Sequence, residues 1–138
     1  SEVGARELVR VLRQIISGDL QPTPQDDSKA TYCQLIQKSD GIIDWNEKAE
    51  IVETRIRART AWPKSRTTLG TIEVIITKAE VLRNINYGDP GTITVLDGDL
   101  IVDAGFESLR ILALQPLGKK EMPVQAFLAG YKDKLQST

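Results

Sequence analysis

The sequence contains no histidine and only one cysteine. Histidine is the usual general base near neutral pH and the commonest metal ligand in proteins. Cys33 has no histidine to activate it as a nucleophile, so it is interpreted as an ordinary thiol. The carboxylates are numerous, but none forms a convincing catalytic pair, and "DGD" at residues 97–99 lacks the remaining ligand spacing of a calcium loop. We therefore expect no catalysis, no cofactor and no metal site in this chain.

Long apolar runs are also missing. No stretch approaches the roughly 20 residues that a membrane-spanning helix requires, and a single cysteine excludes an internal disulfide bond. The remaining composition is that of an ordinary globular protein, with 41% hydrophobic and 27% charged residues. A chain of 138 residues is long enough to bury a sizeable core. We therefore expect a folded domain with no membrane partner.

Positive charge does not dominate the chain as a whole. Lysine and arginine number 18 against 19 acidic residues, which gives a net charge of -1. A nucleic-acid role would therefore require the basic residues to gather on one face. The residues predicted to contact phosphate are Arg55, Arg57, Arg59, Lys64, Arg66, Lys78, Lys119 and Lys120. The alternative is a solvated surface whose arginines are partly paired with Glu50 and Glu53.

The beginning of the chain predicts a helix followed by a linker. Apolar residues recur at helical spacing as Ala5, Leu8, Leu12 and Ile15. They predict an amphipathic helix over residues 4–17, with Gly18 just past its end. Residues 19–36 are rich in proline, aspartate and small polar residues, which is typical of an extended linker. Because an amphipathic helix needs something to cover its apolar face, we expect residues 4–17 to pack on a neighbouring domain or on a second copy in a dimer.

A second helix is predicted after Asp44. Asp44 and Glu47 have the spacing of a capping box. The buried face is predicted to consist of Trp45, Ala49, Val52 and Ile56. The helix should end near Arg59, because Trp62 precedes a proline and that position disfavours helical geometry. We expect Trp62 to pack at the junction and to pin the helix to the sheet that follows.

After Ser65 the sequence is rich in β-branched residues and short turns. The segments "TITVL", "DGD" and "LIVDAG" predict a hairpin that turns at Asp97-Gly98. The segment "MPVQAFLAGY" predicts a short helix with Pro123 at its first position and Gly130 at its end. Together with about four to six strands, these signals predict a mainly β fold with flanking helices (α+β), as a small barrel or a sandwich.

Four segments, in this order and at these spacings, resemble the C-terminal domain of methionyl-tRNA formyltransferase. They are "KSDGIIDW", "IRARTAWP", "ILALQPLGKKEM" and "FLAGY". The stretch "LVRVLRQIISGDLQPTPQDDSKATY" is similar to the end of that enzyme's catalytic domain and to the linker leading out of it. The resemblance spans residues 4–131, which is nearly the whole chain.

The resemblance implies a fold and a function. Residues 37–138 would form a small Greek-key, OB-like β-barrel, preceded by a helix from the end of a catalytic domain (residues 1–18) and an extended linker (residues 19–36). The barrel would hold initiator methionyl-tRNA, while an N-terminal catalytic domain absent from this chain transfers a formyl group from 10-formyltetrahydrofolate. The implied partners are that tRNA and that domain. The implied location is the bacterial cytoplasm, with a mitochondrial location left open.

One segment departs from the family. The family usually has Pro-Trp-Pro-Gly-Ala where this chain has "AWPKS" at residues 61–65. Lys64 adds a positive charge there and could extend a phosphate-facing patch. The alternative function is that of a structural or substrate-placing domain without an RNA ligand. Such a domain would belong to a related formyltransferase of the sugar-nucleotide or formyltetrahydrofolate-hydrolase type. Its basic residues would be exposed to solvent and would have no binding role.

Overall fold

The computed structural model describes residues 2–135, and the chain divides into two units, the first ending at Gln34 and the second beginning at Leu35. In the first unit, helix α1 spans Glu2–Ser17, which confirms the predicted helix. Gly18 follows it with a φ of 79°, a left-handed conformation that glycine adopts without strain. This conformation ends the helix, as the sequence predicts.

The apolar side chains of α1 are open to solvent. Leu8, Leu12 and Ile15 are 58%, 45% and 54% exposed, and no residue of α1 is buried. The segment that follows has little regular structure apart from a short 3-10 turn at Asp27–Lys29.

The second unit contains a six-stranded antiparallel sheet. Its strands are β1 (Ser65–Leu69), β2 (Ile72–Leu82), β3 (Ile93–Leu96), β4 (Asp99–Asp103), β5 (Ser108–Pro116) and β6 (Met122–Pro123). The order is β1-β2-β5-β4-β3, with β6 paired to β5. Strands β3, β4 and β5 follow one another as neighbours and β2 lies beside β5, which is a Greek-key arrangement. In the described part of the chain β1 does not pair with β3, so the sheet is partly open and is not a closed barrel.

One hydrophobic core lies between this sheet and two helices, α2 (Ala49–Ala58) and α3 (Val124–Tyr131). The helical core residues are Ala49, Val52, Ile56, Val124, Phe127 and Leu128. Those of α2 recur at spacings of three and four, so they lie on one face of the helix. The mainly β fold with flanking helices is therefore confirmed, and so are the three α2 residues predicted to face the core.

Asp44 does not cap α2. The helix begins at Ala49, and its N-cap residue, Lys48, makes no side-chain cap hydrogen bond. The Asp44 carboxylate instead accepts hydrogen bonds from Asn46 Nδ2 at 2.8 Å and from the Asn46 amide at 3.0 Å. These bonds favour the charged carboxylate and lower the pKa of Asp44. The predicted cap is wrong because this local turn already satisfies the carboxylate.

The two tryptophans have different surroundings. Trp45 is half-buried, and its Nε1 donates to Thr67 Oγ1 at 2.9 Å, which ties the segment before α2 to β1. The sequence predicts that this ring packs against the core, and the structure confirms it. Trp62 is 56% exposed, so the prediction that it pins the helix to the sheet is wrong. Pro63 is the buried residue at this junction, which leaves the neighbouring indole ring in contact with solvent.

The predicted hairpin turn is confirmed, whereas the predicted positions of Pro123 and Gly130 in α3 are each wrong by one residue. Asp97 and Gly98 join β3 to β4 with φ values of 51° and 87°, as a two-residue type I′ turn requires. Pro123 is the N-cap residue of α3 and not its first helical residue, and Gly130 lies inside the helix, which ends at Tyr131.

A buried polar network anchors the loop between β2 and β3. Asp103 and Ser108 are fully buried. The Asp103 carboxylate accepts from the Tyr87 amide at 3.1 and 3.2 Å, and it lies 2.6 Å from the Ser108 hydroxyl. That hydroxyl also lies 2.8 Å from the Ile85 carbonyl oxygen. The end of β4 and the start of β5 therefore hold the loop in place.

Candidate nucleic-acid interface

Two of the predicted contact residues on α2 are held in ion pairs. The Arg55 guanidinium pairs with the Glu47 carboxylate. Arg57 Nε lies 3.1 Å from Glu53 Oε1, one helical turn away. Hydrogen bonding to Glu53, with the negative charge of that group, raises the pKa of Arg57. The partner carboxylates offset these positive charges, so Arg55 and Arg57 offer less attraction to phosphate than the sequence suggests.

Arg59 and Arg66 bind backbone carbonyls. Arg59 Nη1 donates to the carbonyl oxygen of Asp40, and Arg66 Nη2 donates to the carbonyl oxygen of Lys38 at 2.7 Å. Both carbonyls belong to the 3-10 turn Lys38–Gly41. Two guanidiniums from different elements therefore hold the same turn. A backbone carbonyl carries no net charge, so both arginines keep their positive charge.

Lys64 also lies against this turn. A Cβ placed on Gly41 would overlap the Lys64 carbonyl oxygen, so the close approach of the two segments requires glycine. The Lys64 side chain itself is exposed, and so is that of Lys38. The four basic residues that belong to this turn or contact it are Lys38, Arg59, Lys64 and Arg66. We call these four residues the junction cluster.

Lys38 is the member of the junction cluster that the sequence analysis missed. It stands apart from the basic run at residues 55–66. A parallel bridge between Ile42 and Arg66 brings its segment beside β1. A contact between residues so distant in sequence leaves no local pattern, so only the segment "KSDG", as a turn signal, could have drawn attention to it.

The structure does not connect Lys78 with the junction cluster. Lys78 is exposed on β2, opposite Ala113 of β5, where the register of the two strands shifts. A bulge of this kind turns a side chain away from the regular alternation of the strand. Lys78 is therefore an exposed residue at an irregularity of β2, with no contact shown to the junction cluster among the described residues.

Lys119 and Lys120 are exposed in the loop after β5. The Lys119 carbonyl accepts a hydrogen bond from Gln115 Nε2 at 2.7 Å. Gln115 and Arg66 are the register partners of Ile75 from the two neighbouring strands. Direct register partners point to the same face of a sheet. The loop with Lys119 and the side chain of Arg66 therefore belong to the same face of the sheet. This face points away from the core, and we call it the outer face.

The described residues contain neither a cluster of metal-ligating side chains nor a helix that could span a membrane. Between residues 2 and 135, no three His, Cys, Asp or Glu side chains come together as metal ligands. Over the same range, no helix combines the length and the apolar character needed to cross a bilayer.

Comparison with known proteins assigns this domain to a family. The family model for the formyl transferase C-terminal domain matches residues 35–132. The chain belongs to this family. It is 36% identical over 133 residues to the methionyl-tRNA formyltransferase of Citrifermentans bemidjiense, covering 96% of this chain and 41% of the relative. It is 34% identical over 134 residues to that of Bacillus cytotoxicus, covering 96% of this chain and 43% of the relative.

The chain therefore spans about two fifths of the length of the formyltransferases that it matches. The resemblance to the C-terminal domain of methionyl-tRNA formyltransferase is confirmed. Solved structures with the same fold include HypX from Aquifex aeolicus, with a TM-score of 0.64 and 18% identity, covering 95% of this chain and 24% of that one. HypX has also been solved in complex with tetrahydrofolic acid, and that structure has a TM-score of 0.63 and 17% identity. At such low sequence identity, the similarity to HypX shows a shared fold and nothing about function.

Proposed function

We propose that this formyltransferase domain binds tRNA and positions initiator methionyl-tRNA for N-formylation by a catalytic domain outside this chain. The observation that carries the proposal is the junction cluster, where four basic residues lie in one turn or against it. The name of the relatives, methionyl-tRNA formyltransferase, supports the choice of this tRNA. The catalytic domain would bind the formyl donor, 10-formyltetrahydrofolate, and the complex would act in the cytoplasm.

The proposed mechanism is electrostatic. Lysines and arginines that neutralise backbone phosphates release counterions, which gives an affinity that depends on salt. Such contacts position the RNA and do not read its sequence. Arg59 and Arg66 are already oriented by backbone carbonyls, so they would lose less side-chain entropy on binding. Lys38 and Lys64 would add charge from exposed side chains.

The other predicted contacts would contribute unequally. Lys119 and Lys120 are exposed and would extend the contact from Arg66 along the outer face of the sheet. Lys78 would contact a more distant phosphate. Arg55 and Arg57 would first have to exchange a carboxylate for a phosphate, so their net contribution would be smaller.

The first part of the chain would serve as a connection. Residues 1–18 would form the last helix of the catalytic domain, and residues 19–36 would link it to the tRNA-binding domain, which we place at residues 37–138. The exposed apolar side chains of α1 support this role, because a helix with an uncovered apolar face needs a partner.

Binding of the purified chain to initiator tRNA, followed by fluorescence anisotropy, tests the proposal. Lys64→Glu places a negative charge in the junction cluster and should weaken binding by roughly tenfold or more. Lys48→Glu is the matched control, because Lys48 is exposed at the opposite end of α2. Equal affinities for the two variants would contradict the proposal.

A second function is favoured by one observation. Because Arg59 and Arg66 bind carbonyl groups of the protein itself, they can stabilise the fold without any ligand. The domain would then pack against, or place a substrate for, a formyltransferase acting on a sugar nucleotide or a folate. In that case the same measurement would detect no tRNA binding at moderate salt, while Arg59→Gln would still lower the free energy of unfolding.

A further inference from the structure

A groove crosses the outer face of β1 and β2. On this face Thr68 and Arg66 of β1 are the register partners of Glu73 and Ile75 of β2. The loop after β5 closes one side, where the Leu117 amide donates to the Glu73 carbonyl oxygen at 3.0 Å. These five residues help to line a hollow of about 360 Å³. That volume is in the range of small-ligand sites.

A second hollow, at the end of the β1–β2 hairpin and beside α3, has a volume of about 380 Å³. The two hollows share Glu73 and Leu117 as walls. The second is also lined by Lys119, Tyr131 and Lys134, and Lys134 Nζ lies 5.8 Å from the centre of the Tyr131 ring. We call the two hollows together the outer-face groove, after the face on which the first hollow lies. With the arginine of the first hollow, its walls carry three cations and one carboxylate.

Apolar side chains line the first hollow although water reaches them. Ile42 is 65% exposed and Leu117 is 70% exposed. Apolar surface that is rimmed by polar and charged groups is typical of a ligand site. A flat ring placed against these two side chains would remove apolar surface from water on both partners.

We propose that the outer-face groove binds one unpaired nucleotide of the RNA, with guanine as its preferred base; this rests on the proposed RNA-binding role. The base lies in the first hollow against Ile42 and Leu117. The neighbouring backbone phosphates lie in the second hollow, where Lys119 and Lys134 match their charge. Single-stranded RNA is commonly bound in this way, by a basic groove with surfaces against which bases pack.

Glu73 determines the base preference. Its side chain is exposed in the groove, and an ionised carboxylate only accepts hydrogen bonds, through two oxygens. Unpaired guanine presents two adjacent donors, N1–H and the N2 amino group, which match those oxygens. Inosine lacks the N2 amino group. Uracil presents one donor between two carbonyl oxygens, which the carboxylate repels. Guanine is therefore the best match for this wall of the groove.

The test uses uridine hexamers whose third residue is guanosine, inosine or uridine, with the full chain in low salt. We expect the guanosine hexamer to bind roughly tenfold more tightly than the all-uridine hexamer, with inosine between them, because hydrogen bonds to a charged acceptor are strong. Glu73→Gln should bring the ratio of the two affinities close to one. Glu121→Gln removes the same charge from an exposed position that lines neither hollow, and it should leave the ratio unchanged.

A second pair of variants tests the apolar wall. Leu117→Ser should weaken binding of the guanosine hexamer by about fivefold through lost apolar contact. Leu96→Ser changes a leucine that is 47% exposed on β3, and it should have no effect. If the wild-type chain binds tRNA but does not distinguish the guanosine from the uridine hexamer, the groove proposal fails and the proposed function stands. If the chain binds neither tRNA nor any hexamer, both fail.

Discussion

A Cβ placed on Gly41 would overlap the carbonyl oxygen of Lys64. The two backbone segments are therefore closer than any residue other than glycine allows. This approach seats the turn Lys38–Gly41 beside the start of β1, where Arg59 and Arg66 donate to its carbonyl groups. The junction cluster thus depends on one backbone contact as much as on its own charges.

Gly41→Ala should lower the free energy of unfolding by about 1–3 kcal/mol, because the added methyl group must displace backbone atoms. Gly130→Ala is the matched control: its Cβ would meet nothing within 4 Å, and alanine inside a helix is favoured over glycine by about 0.5–1 kcal/mol. Urea unfolding monitored by tryptophan fluorescence measures both variants. Equal unfolding midpoints would show that the turn can move away without cost.

Asp103→Ala should lower the free energy of unfolding by about 1–3 kcal/mol, because the Tyr87 amide loses its acceptor and the buried Ser108 hydroxyl loses one of its two acceptors. Amide hydrogen exchange should show a specific loss of protection at Tyr87. Glu121→Ala, at an exposed position, serves as the control. Unchanged exchange at Tyr87 in the Asp103 variant would mean that the β2–β3 loop is held by other contacts.

Asp44 should titrate below its ordinary pKa of 3.8, because Asn46 Nδ2 and the Asn46 amide donate to its charged form. Since the pKa is lower in the folded protein, the resulting stabilisation is present above pH 3.8 and is lost as the pH falls through the folded value. Asn46→Ala removes the stronger donor and should raise the pKa toward 3.8, as measured by carbon-detected NMR titration. Asn86→Ala is the control, and a shift of the same size there would contradict the assignment.

Arg59 and Arg57 should differ in their effect on stability. Arg59→Gln removes a hydrogen bond to the Asp40 carbonyl oxygen and should cost about 1 kcal/mol. Arg57→Gln breaks an exposed ion pair on α2 and should change stability little. Thermal unfolding followed by circular dichroism compares the two variants. A larger loss in the Arg57 variant would mean that the ion pair with Glu53 stabilises the fold more than the junction contact does.

Local signals in the sequence predicted the elements of the fold. The spacing of Ala49, Val52 and Ile56 predicted the buried face of α2, and Asp97-Gly98 predicted the hairpin turn. Such signals work because helical periodicity and turn chemistry depend on neighbours in sequence. They predicted the Greek-key sheet only together with the family resemblance, because its strand order depends on pairings between distant segments.

Long-range contacts explain what the sequence did not predict. Trp62 is exposed because Pro63 is the buried residue at the junction. Lys38 joins the junction cluster through the bridge between Ile42 and Arg66. The sequence also does not show that half of the predicted phosphate contacts already bind other groups of the protein. Arg55 and Arg57 form ion pairs, and Arg59 and Arg66 bind backbone carbonyls. Such contacts follow from three-dimensional proximity.

The salt dependence of tRNA binding tests the role of the junction cluster most directly. The double variant Lys38→Ala and Lys64→Ala removes two exposed charges from the cluster without breaking a side-chain hydrogen bond of the described structure. It should flatten the slope of log K against log salt concentration by roughly 1.4–1.8, whereas Lys48→Ala should leave the slope of the wild-type chain unchanged. A double variant with the wild-type affinity and the wild-type slope would contradict the proposal that this cluster binds tRNA.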